Sequence, residues 1–472
     1  MSPCTNKLLL GLWLPIIALL LLLTTACPSK VVQKTPHPSP SKVVNPEVPK
    51  PKNTNDPAKN ANAPTTGQTV VKPPATHPNI VVQPDRKEIK PIERPPQPEA
   101  PKTQYVGLML PFSVPNSTGI SPDSLSEKTK TALEFYSGFL LAFEQLQLQG
   151  APIQLRVMDT ENNAKRVAKL LADTLSLGKL DLLVGPIHNT ELKEAAAFAK
   201  RQKVPLVAPL SPSTQNTQDN PHYIVANPTA EAHCAALYQY ISKNYTNKRI
   251  ILIGGSKPAE ISLTQFVFQF ANATTATGLE QRNRTPIVPF AFTPNVTTAA
   301  ELEAKLSPNE HNIFMVTTFA DEMLILDLVA TLSTLHKQYA ISVYGMPNWI
   351  DLPNLPLDDL AKLDFHYSTA HWDNPDMPEI LRFKQDFYAR FQCYPSDYAG
   401  RGYDAANYFV KNITLPRTDK NTLKWNDQRG IFNNFQLRPS SATQNKMAFD
   451  YLENKFVHII HFRPDYVLEK VE

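Results

Sequence analysis

The side chains with the widest chemical reach are two groups of histidines. His366, His371 and Asp373 lie close together, and His458 and His461 sit in the apolar run Phe456-Val-His-Ile-Ile-His-Phe462. Imidazole and carboxylate together suggest a metal, but structural zinc sites call for four ligands at recurring spacings. Neither group has such spacing, so the first reads as structural or surface and the second as part of a terminal strand. No Gly-x-Ser-x-Gly elbow, His-Glu-x-x-His pair or phosphate loop is present. The 15 glycines are few for an enzyme that cradles phosphate. The expectation is a chain that is not an enzyme and carries no metal or cofactor.

The cysteines have different prospects. Lys7 precedes an almost unbroken apolar run over residues 8–23, which ends in Leu23-Thr24-Thr25-Ala26-Cys27. The run is shorter than the roughly 20 residues of a membrane span and suits a cleavable signal. Its end resembles the lipobox of bacterial lipoproteins, which implies a signal peptide over 1–26 and acylation of the Cys27 thiol. Several acyl chains on one cysteine give firm anchoring where one chain does not. No other apolar stretch approaches 18 residues. Cys234 and Cys393 remain, and whether they pair depends on a Cα separation below about 7 Å that sequence does not give.

Residues 28–103 hold 18 of the 44 prolines and a net charge of +6, against +4 for the whole chain, so the part beyond is mildly acidic. That balance argues against nucleic acid, which calls for a clustered basic face. With almost no large apolar residues and no helical or strand period, the stretch is expected to be a disordered tether from Cys27 to residue 103. Its 76 residues after Cys27 would reach about 240 Å extended and about 50 Å as a coil.

From residue 104 the pattern alternates strand and helix. Strands are expected at 105–110, 153–158, 180–184 and 204–208, with helices at 128–149, 163–177 and 190–202. A second series follows Asn227-Pro228, with helices at 230–244, 259–272, 298–306 and 320–336 and strands at 249–253, 285–290, 312–317 and 340–345. Such alternation implies an α/β fold of two lobes, each a mostly parallel sheet flanked by helices. Ligands in such sheets sit beyond the carboxyl ends of the strands.

The order of elements resembles the type I periplasmic binding proteins, whose best-known members bind leucine, isoleucine and valine. The stretches that carry the resemblance are Val106-Gly-Leu-Met-Leu-Pro-Phe-Ser113, Met158-Asp-Thr-Glu-Asn162, Asp181-Leu-Leu-Val-Gly-Pro186 and Val204-Pro-Leu-Val-Ala-Pro-Leu-Ser-Pro212. Phe387-Tyr-Ala-Arg-Phe-Gln-Cys-Tyr-Pro395, with Gly402-Tyr-Asp-Ala405, looks like the family's terminal helix pair. The resemblance implies lobe 1 from 104–228 plus 372–413 and lobe 2 from 229–371 plus 414–472. It also implies a ligand carboxylate held by hydroxyls and helix N-termini, at Ser113, Asn189, Thr190, Ser211 and Ser213. The same residue types also suit plain helix capping. In the second lobe Phe319 would form an aromatic wall and Trp349, in Gly345-Met-Pro-Asn-Trp349, would stack on a ring or sugar. The carboxylate that pairs with a ligand ammonium in amino-acid binders is replaced by Asn348 or Trp349, with Asp321 and Asp351 nearby.

Two roles follow. One is an envelope lipoprotein that captures an amino acid or related polar ligand, as the binding component of an ABC-type transporter. The other is a regulator or scaffold, similar to the outer-membrane lipoproteins that activate penicillin-binding proteins and share this fold in their C-terminal domain. Partners would be a small polar ligand, the membrane through the anchor, and an ABC permease or a peptidoglycan synthase. The tether and the Pro28 that follows Cys27 point to the outer membrane, facing the periplasm.

Overall fold

The computed structural model describes residues 102–113, 124–245, 248–272, 285–415, 423–441 and 449–472. The expected signal peptide, Cys27 and nearly all of the tether lie outside them. Among the described residues no helix is long and apolar enough to cross a membrane.

Strand β1 (Gln104–Leu110) shows how the first sheet is built. Val106, Leu108 and Leu110 face one apolar layer and Met109 faces the other, as a two-residue period requires. In β3 (Leu182–Val184), Leu182 and Val184 take the first layer and Leu183 the second. Strands buried on both faces belong in a parallel sheet covered by helices. With β2 (Ile153–Asp159), β4 (Leu206–Ala208) and β5 (Tyr223–Val225) they pair in the order β2-β1-β3-β4-β5, all parallel. Helix α1 (Glu127–Leu148) packs on one face, and α2 (Ala164–Ala172) and α3 (Asn189–Gln202) pack on the other.

The chain then repeats the plan. It runs α4 (Ala230–Asn244), β6 (Ile250–Ile253), α5 (Pro258–Asn272), β7 (Ile287–Pro289), α6 (Ala299–Glu303), β8 (Asn312–Val316), α7 (Glu322–Leu335), β9 (Ile341–Gly345), α8 (Leu357–Lys362) and β10 (Phe365–Thr369). The strand order is β7-β6-β8-β9-β10, the same permutation. Helices α9 (Pro378–Phe391) and α10 (Asp397–Ala405) return to the first lobe, where Phe383, Phe387, Ala399 and Ala405 join its core. A short hairpin, β11 (Gln428–Arg429) and β12 (Asn434–Phe435), follows.

Residues 437–454 correct the expected boundary, which placed all of 414–472 in lobe 2. Strand β14 (Tyr451–Asn454) pairs in parallel with β5, and β13 (Leu437–Ser440) pairs antiparallel with β14. Only β15 (His458–Phe462) and β16 (Leu468–Lys470) join the second sheet, beside β10. Each pair covers a sheet edge whose N–H and C=O groups would otherwise stand open. Cys234 is a free, buried thiol with its sulfur 3.7 Å from that of Met346, so it does not pair with Cys393.

The chain therefore crosses between lobes three times, after β5, after β10 and after β14. Asn454 Nδ2 donates to Ala226 O and Asn434 O, while its Oδ1 accepts from Gln436 N and Phe456 N. Asn433 Nδ2 donates to Ala370 O, and its Oδ1 lies 2.9 Å from His371 Nδ1. The buried Asp404 carboxylate accepts from the amides of Ile431, Phe432 and Asn433. Burial raises its pKa to about 6 against the pull of those three bonds.

Two glycines set how closely α10 approaches α1. A Cβ at Gly138 would lie 1.7 Å from Ala399 O, and one at Gly402 would lie 2.1 Å from Phe135 O. Mid-helix glycine costs up to about 1 kcal/mol against alanine, and here it permits backbone-to-backbone contact. Gly138→Ala is expected to destabilise the protein by roughly 1–3 kcal/mol through overpacking, read as a fall in chemical-denaturation midpoint. An unchanged midpoint would show that the helices can separate without cost.

His371 reports on the crossings. Burial, with Arg401 adding to it, depresses its pKa to about 4. A depressed histidine contributes stability above its unfolded pKa and loses it as pH falls toward the folded value. Between pH 7 and pH 5 that loss is roughly 2 kcal/mol. His371→Gln should narrow the stability difference between those pH values by about that amount; equal differences in both proteins would contradict the assignment.

Candidate functional site

A cavity of about 810 Å³ opens between the lobes at the carboxyl ends of the strands. From the first lobe come Asn189, Ser213, Asn227 and Arg401; from the second come His233, Phe319, Met346, Asn348 and Thr369. Four of the eight residues expected at a site therefore line it: Asn189, Ser213, Phe319 and Asn348.

The first-lobe wall is built on the start of α3. Its N-cap, His188, makes no side-chain cap bond, so the first amides carry the helix's partial positive charge without a capping side chain. Neither Asn189 nor Thr190 caps the helix. The Asn189 carboxamide oxygen instead takes the Ser211 hydroxyl, and Ser211 Oγ accepts from Ser213 N at 3.2 Å. Ser211 thus positions its neighbours. Ser213 Oγ accepts from Gln215 N at 3.3 Å, which leaves its own proton for a ligand.

Three expected residues stand elsewhere. Thr190 is exposed and outside the lining. Ser113, three residues past the end of β1, has φ 48° and donates its amide to Asp159 Oδ1 at 3.1 Å, also outside the lining. Trp349 is fully buried in the short 3₁₀ turn Pro347–Asp351. Its indole N–H donates to Thr318 O at 3.0 Å and its ring stacks on Phe365 with centroids 5.6 Å apart. It is a core residue, because the turn aims the ring back at the sheet.

The second-lobe wall is shaped by Glu260. Its Oε1 accepts from Thr318 Oγ1 at 2.6 Å and from the amides of Phe319 and Ala320 at 2.8 Å each. Burial alone would raise its pKa, but those bonds outweigh it and hold the carboxylate below its usual range. The loop so fixed presents Phe319, whose carbonyl accepts from Asn348 Nδ2 at 2.6 Å. Of the nearby acids, Asp321 caps α7 through Leu324 N, and Asp351 is exposed.

The charge of the cavity comes from a residue the sequence analysis passed over. Arg401, on α10, is its one charged lining residue among those described, and no Asp or Glu lines it. The guanidinium reaches Asn227 Oδ1 at 3.4 Å and makes no ion pair with another described residue. His233 is nearly buried, with Nδ1 2.9 Å from Ser368 Oγ. Burial first and Arg401 second push its pKa down to about 3, so it is neutral at physiological pH. The available signal was Gly400-Arg401-Gly402: two glycines beside a cation within a helix mark a close approach on both sides. Such a cavity offers a cation, a helix amino end and neutral donors to an anion, and an apolar ring to its body.

A family model described as a periplasmic binding protein matches residues 127–419. The chain belongs to this family. A comparison with curated proteins finds no match. Among solved structures, a protein described as a candidate branched-chain amino acid ABC transporter from Rhodospirillum rubrum is 14% identical with a TM-score of 0.57, covering 78% of this chain and 100% of that one. An ABC transporter substrate-binding protein from Desulfitobacterium hafniense is 14% identical with a TM-score of 0.51, over the same shares. The C-domain of LpoA from Haemophilus influenzae, a regulator of PBP1A, is 14% identical with a TM-score of 0.49, again over 78% and 100%. At these identities the likeness is one of fold.

Trp349→Phe separates the two readings of that residue. It should cost roughly 0.5–1.5 kcal/mol by removing the bond to Thr318 O, with the thermal response to ligands unchanged. Loss of a ligand response at unchanged stability would return Trp349 to the site.

Proposed function

We propose that this periplasmic binding protein is an envelope lipoprotein whose lobes close on a small organic anion. The observation that carries the reading is Arg401, a half-buried cation in a cavity with no lining acid. A carboxylate or similar oxyanion would lie between the guanidinium and the start of α3, with Ser213 donating and Phe319 covering its apolar part. Closure follows because these contacts, drawn from both lobes, exist together only in the closed state. A free amino acid fits less well, since its ammonium would be buried without a carboxylate, at a cost of several kcal/mol. The favoured ligands are acids without an α-ammonium, or the C-terminal carboxylate of a short peptide. The role proposed for such capture is delivery to an ABC-type permease.

The long proline-rich stretch favours a second reading. A protein serving an inner-membrane permease gains little from 76 residues between Cys27 and residue 104, whereas one bridging outer membrane and cell wall needs that reach. In that role the chain regulates a peptidoglycan synthase, and the cleft holds a peptide end of wall or partner.

The test is a thermal-shift series on the full chain with matched compounds: a carboxylic acid, the corresponding amine and the corresponding amino acid. The acid is expected to raise Tm, and Arg401→Gln to weaken its binding roughly 10- to 100-fold, since hydrogen bonds to charged groups contribute about 1.5–3 kcal/mol. Equal response to the amine, or an unaffected variant, would overturn the reading. A cross-link to a synthase without any ligand response would favour the second role.

A further inference from the structure

The second lobe carries another cluster at the opposite end of its strands from the cleft. Strand β10 ends at Thr369 in the cavity wall, and Asp364 immediately precedes its start. We propose that Asp364, His366 and His461 form a binding site for a divalent transition ion of the zinc class, clamping strand β15 to β10.

The sheet register makes the pair. His366 and His461 are direct partners across the antiparallel β10–β15 ladder, so their side chains leave the same face within about 5 Å of one another at Cβ. The rings lie parallel, with centroids 4.4 Å apart and 7° between planes. Tyr344 stacks on the far side of His366 at 4.8 Å and holds that ring in place. Asp364 adopts a left-handed backbone, φ 44°, which Asp tolerates better than most residues. One donor atom from each of the three residues lies within 4.8 Å of the others. Zinc holds nitrogen and oxygen ligands at about 2.0–2.2 Å, so the His461 and Asp364 side chains would turn from the stacked arrangement to bring three donors onto one ion.

The outer contacts are those a metal site requires. His366 Nδ1 lies 2.9 Å from Asp364 O and 4.0 Å from Asp364 Oδ1; a proton held there leaves the ring's lone pair on Nε2. The second carboxylate oxygen of Asp364 takes the Ser342 hydroxyl, and Ser342 Oγ lies 2.6 Å from His311 Nε2. His461 Nε2 is 3.0 Å from Asp364 Oδ1, yet it is buried and makes no aligned hydrogen bond. Two imidazoles and one carboxylate, with a remaining position for water, suit zinc or its neighbours rather than calcium or magnesium. No spacing along the chain marks this site, because its two histidines lie 95 residues apart and meet only through the register.

The test is calorimetric titration of the chelator-treated full chain with Zn²⁺ alone. One saturable equivalent is expected, with binding lost in Asp364→Asn and His461→Gln while far-UV circular dichroism stays that of the parent. Asparagine keeps the left-handed backbone, so the first variant isolates the ligand. Ser342→Ala, which removes the hydroxyl that supports Asp364 along with its contact to His311, should weaken binding by roughly 10- to 100-fold. Absence of binding by the parent, or unchanged affinity in Asp364→Asn, overturns the proposal, the latter by assigning the ion to others of the 11 histidines. Independently of any variant, Co²⁺ in the parent should show the intense visible bands of a four-coordinate ion and be displaced by one equivalent of Zn²⁺. A weak six-coordinate spectrum contradicts the site.

Discussion

Two parallel sheets can face one another across a cleft only if the chain passing between them leaves no buried backbone group unpaired. Three crossings meet that condition here through three side chains. Asn454 joins the first crossing to the third, Asn433 joins the second to the β11–β12 hairpin, and Asp404 takes three amides of the same hairpin. An amide side chain both donates and accepts, so one asparagine serves strands that arrive from different lobes. A hinge made this way keeps the strand ends facing each other, and small rotations about the crossings leave each sheet intact.

The chemistry of the cavity follows from where charge is allowed to remain free. Glu260 lies close by, but three hydrogen bonds from its own lobe's loop engage it, and Asp321 caps a helix. His233 is kept neutral by burial. Arg401 is the one charged residue left on the cavity wall among those described, with Asp397 of the same helix acting on it from outside the lining, at the point where α10 is pressed against α1 by the absence of side chains at Gly138 and Gly402. The packing of the first lobe and the sign of its preferred ligand therefore depend on the same helix pair.

Much of the architecture was legible because strands buried on both faces and helices buried on one leave different periods. Helix 230–244 and the strands around 250, 313 and 343 were plain for that reason. Strand β10 was not, since Phe365-His-Tyr-Ser-Thr369 is largely polar and gains its burial from β15, which comes nearly a hundred residues later. The same difficulty hid the return of β13 and β14 to the first lobe, where a crossing and not a local pattern decides the partner. At the site, Asn189, Ser213, Phe319 and Asn348 were reachable because loops after parallel strands must line the cleft. Trp349 was misplaced because residue type does not give the direction of a side chain in a 3₁₀ turn. Arg401 was missed because a cation in a late helix looks like surface until the helix is placed.

The most direct measurement of the central claim is a crystal structure of the protein grown with the most stabilising carboxylic acid. The carboxylate is expected within hydrogen-bond distance of the Arg401 guanidinium and the first amides of α3, with the lobes closed over Phe319. A ligand bound elsewhere, or one whose ammonium occupies that position, would contradict it.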